Sequence, residues 1–183
     1  MFTDSVSRET LSVNKREART MNIFLDMDGT ITDLYGVKKW LYYLNQNDIT
    51  PYQTAKPLVD IEVLNNLLHK VQRCGGKVYI ITCASKGASR SYFRQIMKAK
   101  KQWLERHRII YDSFIGLEYG TDKSEYLTQA SDLLIDDLLD NLTQWQSKGG
   151  AIIDPIRDNL TQALRDMIRK EVVYNEFNTL YRY

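Results

Sequence analysis

Cysteine is nearly absent from this chain: Cys74 and Cys83 are too few for a disulfide framework, so a reducing, cytoplasmic setting is expected. Histidine is as scarce, and His69 and His107 lie in helical contexts with no other ligand type close by in sequence, which leaves them without a catalytic role. Charge of one sign is not in excess either. A formal net charge of +2 implies neither nucleic acid nor an anionic membrane as an obligatory partner. No apolar run reaches the length of a membrane span, and the opening residues lack the apolar core of a secretory signal, so no membrane association is expected. Internal repeats and low-complexity blocks are also missing.

What is present is an ordinary globular composition. With 43% hydrophobic and 26% charged residues, 183 residues suffice for one compact domain with a core and a small excursion. Residues 1–20 are polar, mixed in charge and poor in large apolar groups, and read as a flexible tail, with Met21 as an alternative start. The domain is expected over 21–183, with a small helical cap insert at about 34–60.

Beyond the tail, short apolar runs alternate with helical patterns. Ile23-Phe24-Leu25 reads as a buried strand. Residues 61–71 carry apolar groups at three- and four-residue spacing before Gly75-Gly76, which predicts an amphipathic crossover helix. Further strands are expected at 77–82, 109–115, 132–137 and 151–153. Helices are expected at 89–107, 124–130, 138–148 and from 155 to about 174. In the helix at 89–107, Phe93, Ile96, Met97, Trp103 and Leu104 are assigned to the buried side and Arg94, Lys98, Lys100 and Lys101 to the outside. The alternation predicts an α/β, doubly wound, mostly parallel Rossmann-like sheet with a small helical cap after the first strand.

The ends of the strands carry the chemistry. Asp26 and Asp28 follow the first strand two residues apart, so both carboxylates can face one pocket, and Gly29 lets the backbone turn behind them before Thr30. Thr82 ends the next strand, Lys123 precedes a later one, and Asp136-Asp137 closes it. In an open α/β sheet, ligands bind at that carboxyl edge. Carboxylates with a lysine and a hard cation suit phosphoryl transfer, because an attacking carboxylate and a phosphate ester repel each other until their charge is neutralised.

In this order the residues resemble the motifs of the haloacid dehalogenase-like phosphohydrolases, over essentially 22–154. Asp26, Asp28, Gly29 and Thr30 match the first motif, Thr82 the second, Lys123 the third, and Asp136 with Asp137 the fourth. The resemblance implies that Asp26 is the nucleophile and a Mg²⁺ ligand. It implies that Asp28 is the general acid and base and gives a carbonyl to the metal, that Thr82 and Lys123 bind the phosphoryl group, and that Asp137 or Asp136 completes the metal site. Within the superfamily the chain is similar to the 5'(3')-deoxyribonucleotidases. The similarity lies in Leu134-Ile135-Asp136-Asp137, in Lys86 four residues after Thr82, and in the Lys101-x-Trp103-Leu104-x-x-His107 segment. That implies a phosphate contact for Lys86 and nucleoside monophosphates as small-molecule substrates, and a homodimer is compatible with it. The segment after Asp33 is shorter than the family's cap, which would open the site to bulkier substrates such as polynucleotide ends.

Plainer roles stand beside these. Asp-x-Asp-Gly is also a turn that caps a helix, Asp136 or Asp137 is also a helix N-cap before Leu138, and Asp140 is either a second layer around the metal or a surface acid. Trp40, Tyr42, Tyr43 and Tyr52 either stack on a base or fill a core. Cys83 reads as a small buried thiol beside the pocket. The rival from a different class is a catalytically idle fold acting as a binding module.

Overall fold

The computed structural model describes residues 20–180, with side chains described through Tyr174. The expected tail at 1–20 lies outside the described residues except for Thr20, whose carbonyl accepts hydrogen bonds from Gln129 Nε2 and Ser131 Oγ. The described residues hold five strands, β1 (Ile23–Leu25), β2 (Val78–Cys83), β3 (Ser113–Leu117), β4 (Leu133–Ile135) and β5 (Ala151–Ile153). They form one sheet in the order β3-β2-β1-β4-β5, and every pairing is parallel. The chain moves outward from β1 through β2 to β3, then returns to place β4 on the other side of β1. The β1/β4 boundary is therefore the point where strand order reverses, and there the carboxyl ends of two neighbouring strands diverge into a crevice.

Short as it is, β1 is the axis of the sheet. Ile23 pairs with Val78 on one side and Leu133 on the other, and Leu25 pairs with Ile80 and Ile135. The period of two sends Ile23 and Leu25 to one face and Phe24 to the other. The first face is covered by α3 (Ile61–Arg73) and α6 (Leu160–Leu180), with Leu64, Leu67, Leu68 and Val71 buried from α3. On the second face Phe24 and Leu134 meet Leu142 and Trp145 of α5 (Leu139–Ser147). Full burial of both faces explains why the strands are continuous apolar runs.

The excursion after β1 contains two short helices, α1 (Trp40–Asn45) and α2 (Thr50–Thr54). They rest on α4 (Arg90–Arg106), where Tyr52 joins Tyr92, Ile96 and Met97 in a separate apolar cluster. The indole of Trp103 donates to the Ala55 carbonyl at 2.7 Å and fixes the return of the cap to the domain. Helix starts follow ordinary capping: Asp60 accepts from the Val63 amide and Ser89 from the Tyr92 amide.

Three expected boundaries shift. The third strand is 113–117 rather than 109–115, because Asp112 turns its carboxylate back to the Val78 amide and pairing with β2 begins only at Ser113. Ile109, although apolar and buried, belongs to the loop that leaves α4. The helix expected over 124–130 is a single 3₁₀ turn, Lys123–Tyr126, held at its start by Asp122. The last helix begins at Leu160 rather than Pro155 and continues beyond Tyr174 to Leu180.

Candidate active site

The residues singled out at the strand ends converge on the β1/β4 crevice. Asp26 follows β1 directly, its amide still bonded to the Ile135 carbonyl of β4 at 2.9 Å, so the sheet itself fixes the backbone that carries this carboxylate. The chain then turns tightly: the Met27 carbonyl accepts from the amides of Thr30, Ile31 and Thr32. Gly29 sits in that turn at φ +81°, and a Cβ there would lie 2.1 Å from Asp137 Oδ2. Only glycine permits both that backbone and the approach of Asp137.

Lys123 is the centre of the charge arrangement. Its ammonium, 2% exposed, lies 2.6 Å from Asp26 Oδ1 and 2.6 Å from Asp136 Oδ2. Burial opposes its charge, but Asp26 and Asp136 outweigh that and hold the ammonium well above the usual lysine range. The 3₁₀ turn that presents Lys123 is clamped by Asp122, which accepts from both the amide and the hydroxyl of Ser124.

Asp136 and Asp137 divide the two roles that sequence left open. Asp136 is buried and spends its oxygens on Lys123, the Leu138 amide and Asn141 Nδ2, so it does help to start α5. Asp137 is partly exposed, with a 3.5 Å contact from Thr30 Oγ1. Burial and the neighbouring charges of Asp26 and Asp136 push the Asp137 carboxyl up to about 7. Asp140 is exposed on α5, as a plain surface acid would be.

Asp26, Asp136 and Asp137 each offer an oxygen within 4.8 Å of the others. An all-carboxylate donor set of this span fits one hard divalent cation such as Mg²⁺. Among the described residues the ammonium groups of Lys100 and Lys123 pair with Asp28, Asp26 and Asp136, and no ion pair reaches Asp137.

Among solved structures with a similar arrangement, the Pnkp1/Rnl/Hen1 complex matches at 16% identity and a TM-score of 0.49, over 74% of this chain and 45% of that one. The chain thus spans less than half of that polypeptide. The D,D-heptose 1,7-bisphosphate phosphatase from Burkholderia Thailandensis matches at 14% identity and a TM-score of 0.46, over 72% of this chain and 75% of that one. The corresponding phosphatase from B. bronchiseptica, complexed with magnesium and phosphate, gives 14% and 0.43, over 73% and 78%. No protein-family model and no curated protein matches the chain. Likeness this loose carries no weight for function.

Lys100 overturns an expectation. Assigned from sequence to the outer side of its helix, it is 1% exposed and lies 2.6 Å from Asp28 Oδ2 and 2.7 Å from Thr82 Oγ1. The signal was in the periodicity: Lys100 is four residues after Ile96 and three before Trp103, in the middle of the buried stripe of α4. Asp28 itself is pushed above the usual carboxylate range, because burial outweighs the opposing charge of Lys100.

The remaining candidates separate. Thr30 and Thr82 are buried at the crevice, whereas Lys86 is exposed on the turn after β2 and forms no ion pair among the described residues. Tyr52 is 4% exposed and belongs to the cap core. Trp40 is half-buried, and it meets a residue that sequence reading overlooked: Tyr35, half exposed, stacks edge-on against it at 5.1 Å. The Tyr35 ring also closes over Gly29, and burial together with the nearby Asp137 raises its phenol. Cys83 is half-buried rather than buried, and burial pushes its thiol up, away from a reactive thiolate.

Proposed function

We propose that this protein is a Mg²⁺-dependent phosphomonoester hydrolase of the haloacid dehalogenase-like type, working through an aspartyl-phosphate and acting on nucleoside monophosphates. The observation that carries the reading is the placement of Asp26. It is a buried carboxylate at the end of the central strand, with one oxygen held by Lys123 and two further carboxylates in reach of a shared cation. Asp26 and Asp137, with Asp136 beside them and the Asp28 carbonyl as a further donor, would hold Mg²⁺, which would supply positive charge against the phosphoryl oxygens.

Asp26 attacks phosphorus, the bond to the ester oxygen breaks, and Asp28 gives that oxygen its proton. Water then attacks the phosphorus of the aspartyl-phosphate. Its proton passes to Asp28, the bond to Asp26 breaks, and inorganic phosphate leaves with both aspartates restored. Lys123 stays with Asp26 through both steps and offsets the charge that gathers on the phosphoryl group. Thr82, with its hydroxyl at the crevice, donates to a phosphoryl oxygen.

Asp26→Asn assayed with an aryl phosphate and Mg²⁺ tests the mechanism, since undiminished turnover would remove it. Wild-type protein that releases no phosphate from any monoester, and whose melting ignores Mg²⁺ and chelator alike, would leave a binding module instead.

The nucleotide preference draws on the resemblance and on the half-exposed Tyr35 ring beside Gly29, an aromatic face of the kind a base stacks on, with Trp40 set edge-on against it. A second reading, phosphate at the end of a polynucleotide, is favoured by the cap: its helices are only six and five residues long, and Tyr35, Leu41, Tyr42 and Leu58 of this segment are exposed. Comparing a mononucleotide with a 5'- or 3'-phosphorylated oligonucleotide separates them. Higher kcat/KM on the oligonucleotide would replace the first choice by the second.

A further inference from the structure

We infer that Lys100 is the positioning residue of the proton-transfer step: it holds Asp28 by one oxygen and Thr82 by its lone pair, and so assigns each of them its task. The inference rests on the phosphomonoesterase reading and adds a residue to it. An ammonium has three N–H bonds. Lys100 gives one to Asp28 Oδ2 at 2.6 Å, one to Thr82 Oγ1 at 2.7 Å and one to the Cys83 carbonyl at 2.7 Å. None is left for a phosphoryl oxygen, which separates Lys100 from Lys123 and makes its action indirect.

The consequences are specific to the two partners. Asp28 Oδ2, facing an ammonium, is unsuited to carry a proton, so the proton that Asp28 gives and takes belongs on Oδ1. Thr32 Oγ1 is the neighbour of Oδ1 at 3.3 Å, but it has a shorter bond, 3.1 Å, to the Met27 carbonyl. Oδ1 is therefore the less committed oxygen, on a side chain that is 17% exposed where its partner Lys100 is 1% exposed. Thr82 accepts from Lys100, and its own proton enters no hydrogen bond among the described residues. The hydroxyl is thus left to donate toward the crevice.

The arrangement is stiff because Lys100 stands on α4 between Ile96 and Trp103, and its ammonium lies 5.2 Å from the centre of the Tyr52 ring. The same helix grips the cap through Trp103 and the Ala55 carbonyl. The proton-carrying residue, the phosphate-binding hydroxyl and the root of the cap are consequently referred to one rigid element.

Lys100→Met, which keeps side-chain bulk and removes the ammonium, tests this by rapid-quench kinetics on folded protein with Mg²⁺. With nitrophenyl phosphate the phenolate leaves without a proton, so the first turnover needs Asp26 and not the Asp28 proton. K100M is expected to slow the first turnover by no more than about threefold, the share that follows from Thr82 losing its anchor, while later turnovers, and all turnover of an alkyl phosphate, slow by at least about tenfold. Equal losses in first and later turnovers, as partial misfolding would give, or no loss in either, overturn the assignment. In an Asp28→Asn background, where there is no carboxylate to position, adding K100M is expected to change turnover less than about threefold. This double variant also removes the uncompensated Asp28 charge that K100M leaves behind, and a further tenfold loss in it overturns the assignment. Wild type silent on every monoester would refute the phosphomonoesterase first, and Lys100 falls with it.

Discussion

Replacing Lys123 by Met separates the two jobs that its position implies, neutralising the carboxylates in the resting protein and neutralising phosphate during turnover. The side chain is 2% exposed and makes two ion pairs of 2.6 Å, to Asp26 and Asp136. Removing one partner of a buried pair typically costs about 3–5 kcal/mol, because the other charge is left buried and uncompensated. At about 2–4 °C per kcal/mol for a domain of this size, K123M should melt roughly 6–20 °C below wild type in chelator. Asp26, Asp136 and Asp137, with oxygens within 4.8 Å of one another, would then repel without a cation between them. Saturating Mg²⁺ should narrow the deficit, because the carboxylates freed of Lys123 bind the cation more tightly than in wild type, and each tenfold gain in affinity returns about 1.4 kcal/mol. Turnover should stay down by about 10²-fold or more even with metal bound, because the charge aimed at the phosphoryl group is gone. Melting curves in chelator and in Mg²⁺, with turnover on an aryl phosphate alongside, measure all three. A melting temperature equal to wild type in chelator, or a deficit that Mg²⁺ does not narrow, would refute the reasoning. Lys148→Met is the control: its pairs with Glu125 and Asp122 are on the surface, and no change in melting is expected.

Two further outcomes follow from the same site and a third from the far end of β4. Asp137 has its carboxyl raised from 3.8 to about 7, so between those values the folded metal-free protein holds more protons than the unfolded chain, and its stability falls as pH rises across that window. Mg²⁺ replaces that proton, so the gain in melting temperature on adding Mg²⁺ should grow from about pH 5 to about pH 8, and a gain flat with pH would contradict it. Gly29→Ala places a Cβ 2.1 Å from Asp137 Oδ2 at a φ of +81°, and titration calorimetry should show Mg²⁺ affinity weakened by about tenfold or more. Asp132, at the opposite end of β4, accepts hydrogen bonds from Asn22, Gln129 and both the amide and hydroxyl of Thr128. Asp132→Ala should cost at least about 3 kcal/mol in denaturant unfolding while leaving kcat of the folded fraction unchanged.

Much of this protein is decided by local pattern. The apolar runs at 23–25, 133–135 and 151–153 become strands because both faces of a parallel sheet are dry, and the α3 stripe becomes a helix because its apolar groups fall on one side. Asp26, Asp28, Thr82, Asp136 and Asp137 are legible as a set because they stand at or just past the carboxyl ends of buried strands, where an open sheet binds ligands, and Lys123 by its place on the turn that leads to β4. Strand ends in irregular surroundings were harder to read: Ile109, Ile110 and Tyr111 have the composition of a strand and pack on the core as a loop, since pairing partners, not propensity, define β3.

The pairing of charges, by contrast, belongs to the tertiary structure. Lys100 lies eighteen residues from Thr82 and seventy-two from Asp28, and a lysine on a helix is taken for a solvated one until the sheet edge and the cap root enclose it. Tyr35 lies at the crevice because the turn at Gly29 folds the following segment back over it. Asp136 and Asp137 are neighbours of the same type in sequence. One is consumed by Lys123 and Asn141 while the other keeps an open carboxylate, a difference set by which side of β4 each leaves from. Sequence named the acids, and the alternation of strands and helices pointed to the doubly wound class, but the order of the strands and the job of each acid depend on the assembled sheet, which alone brings the cations within 3 Å.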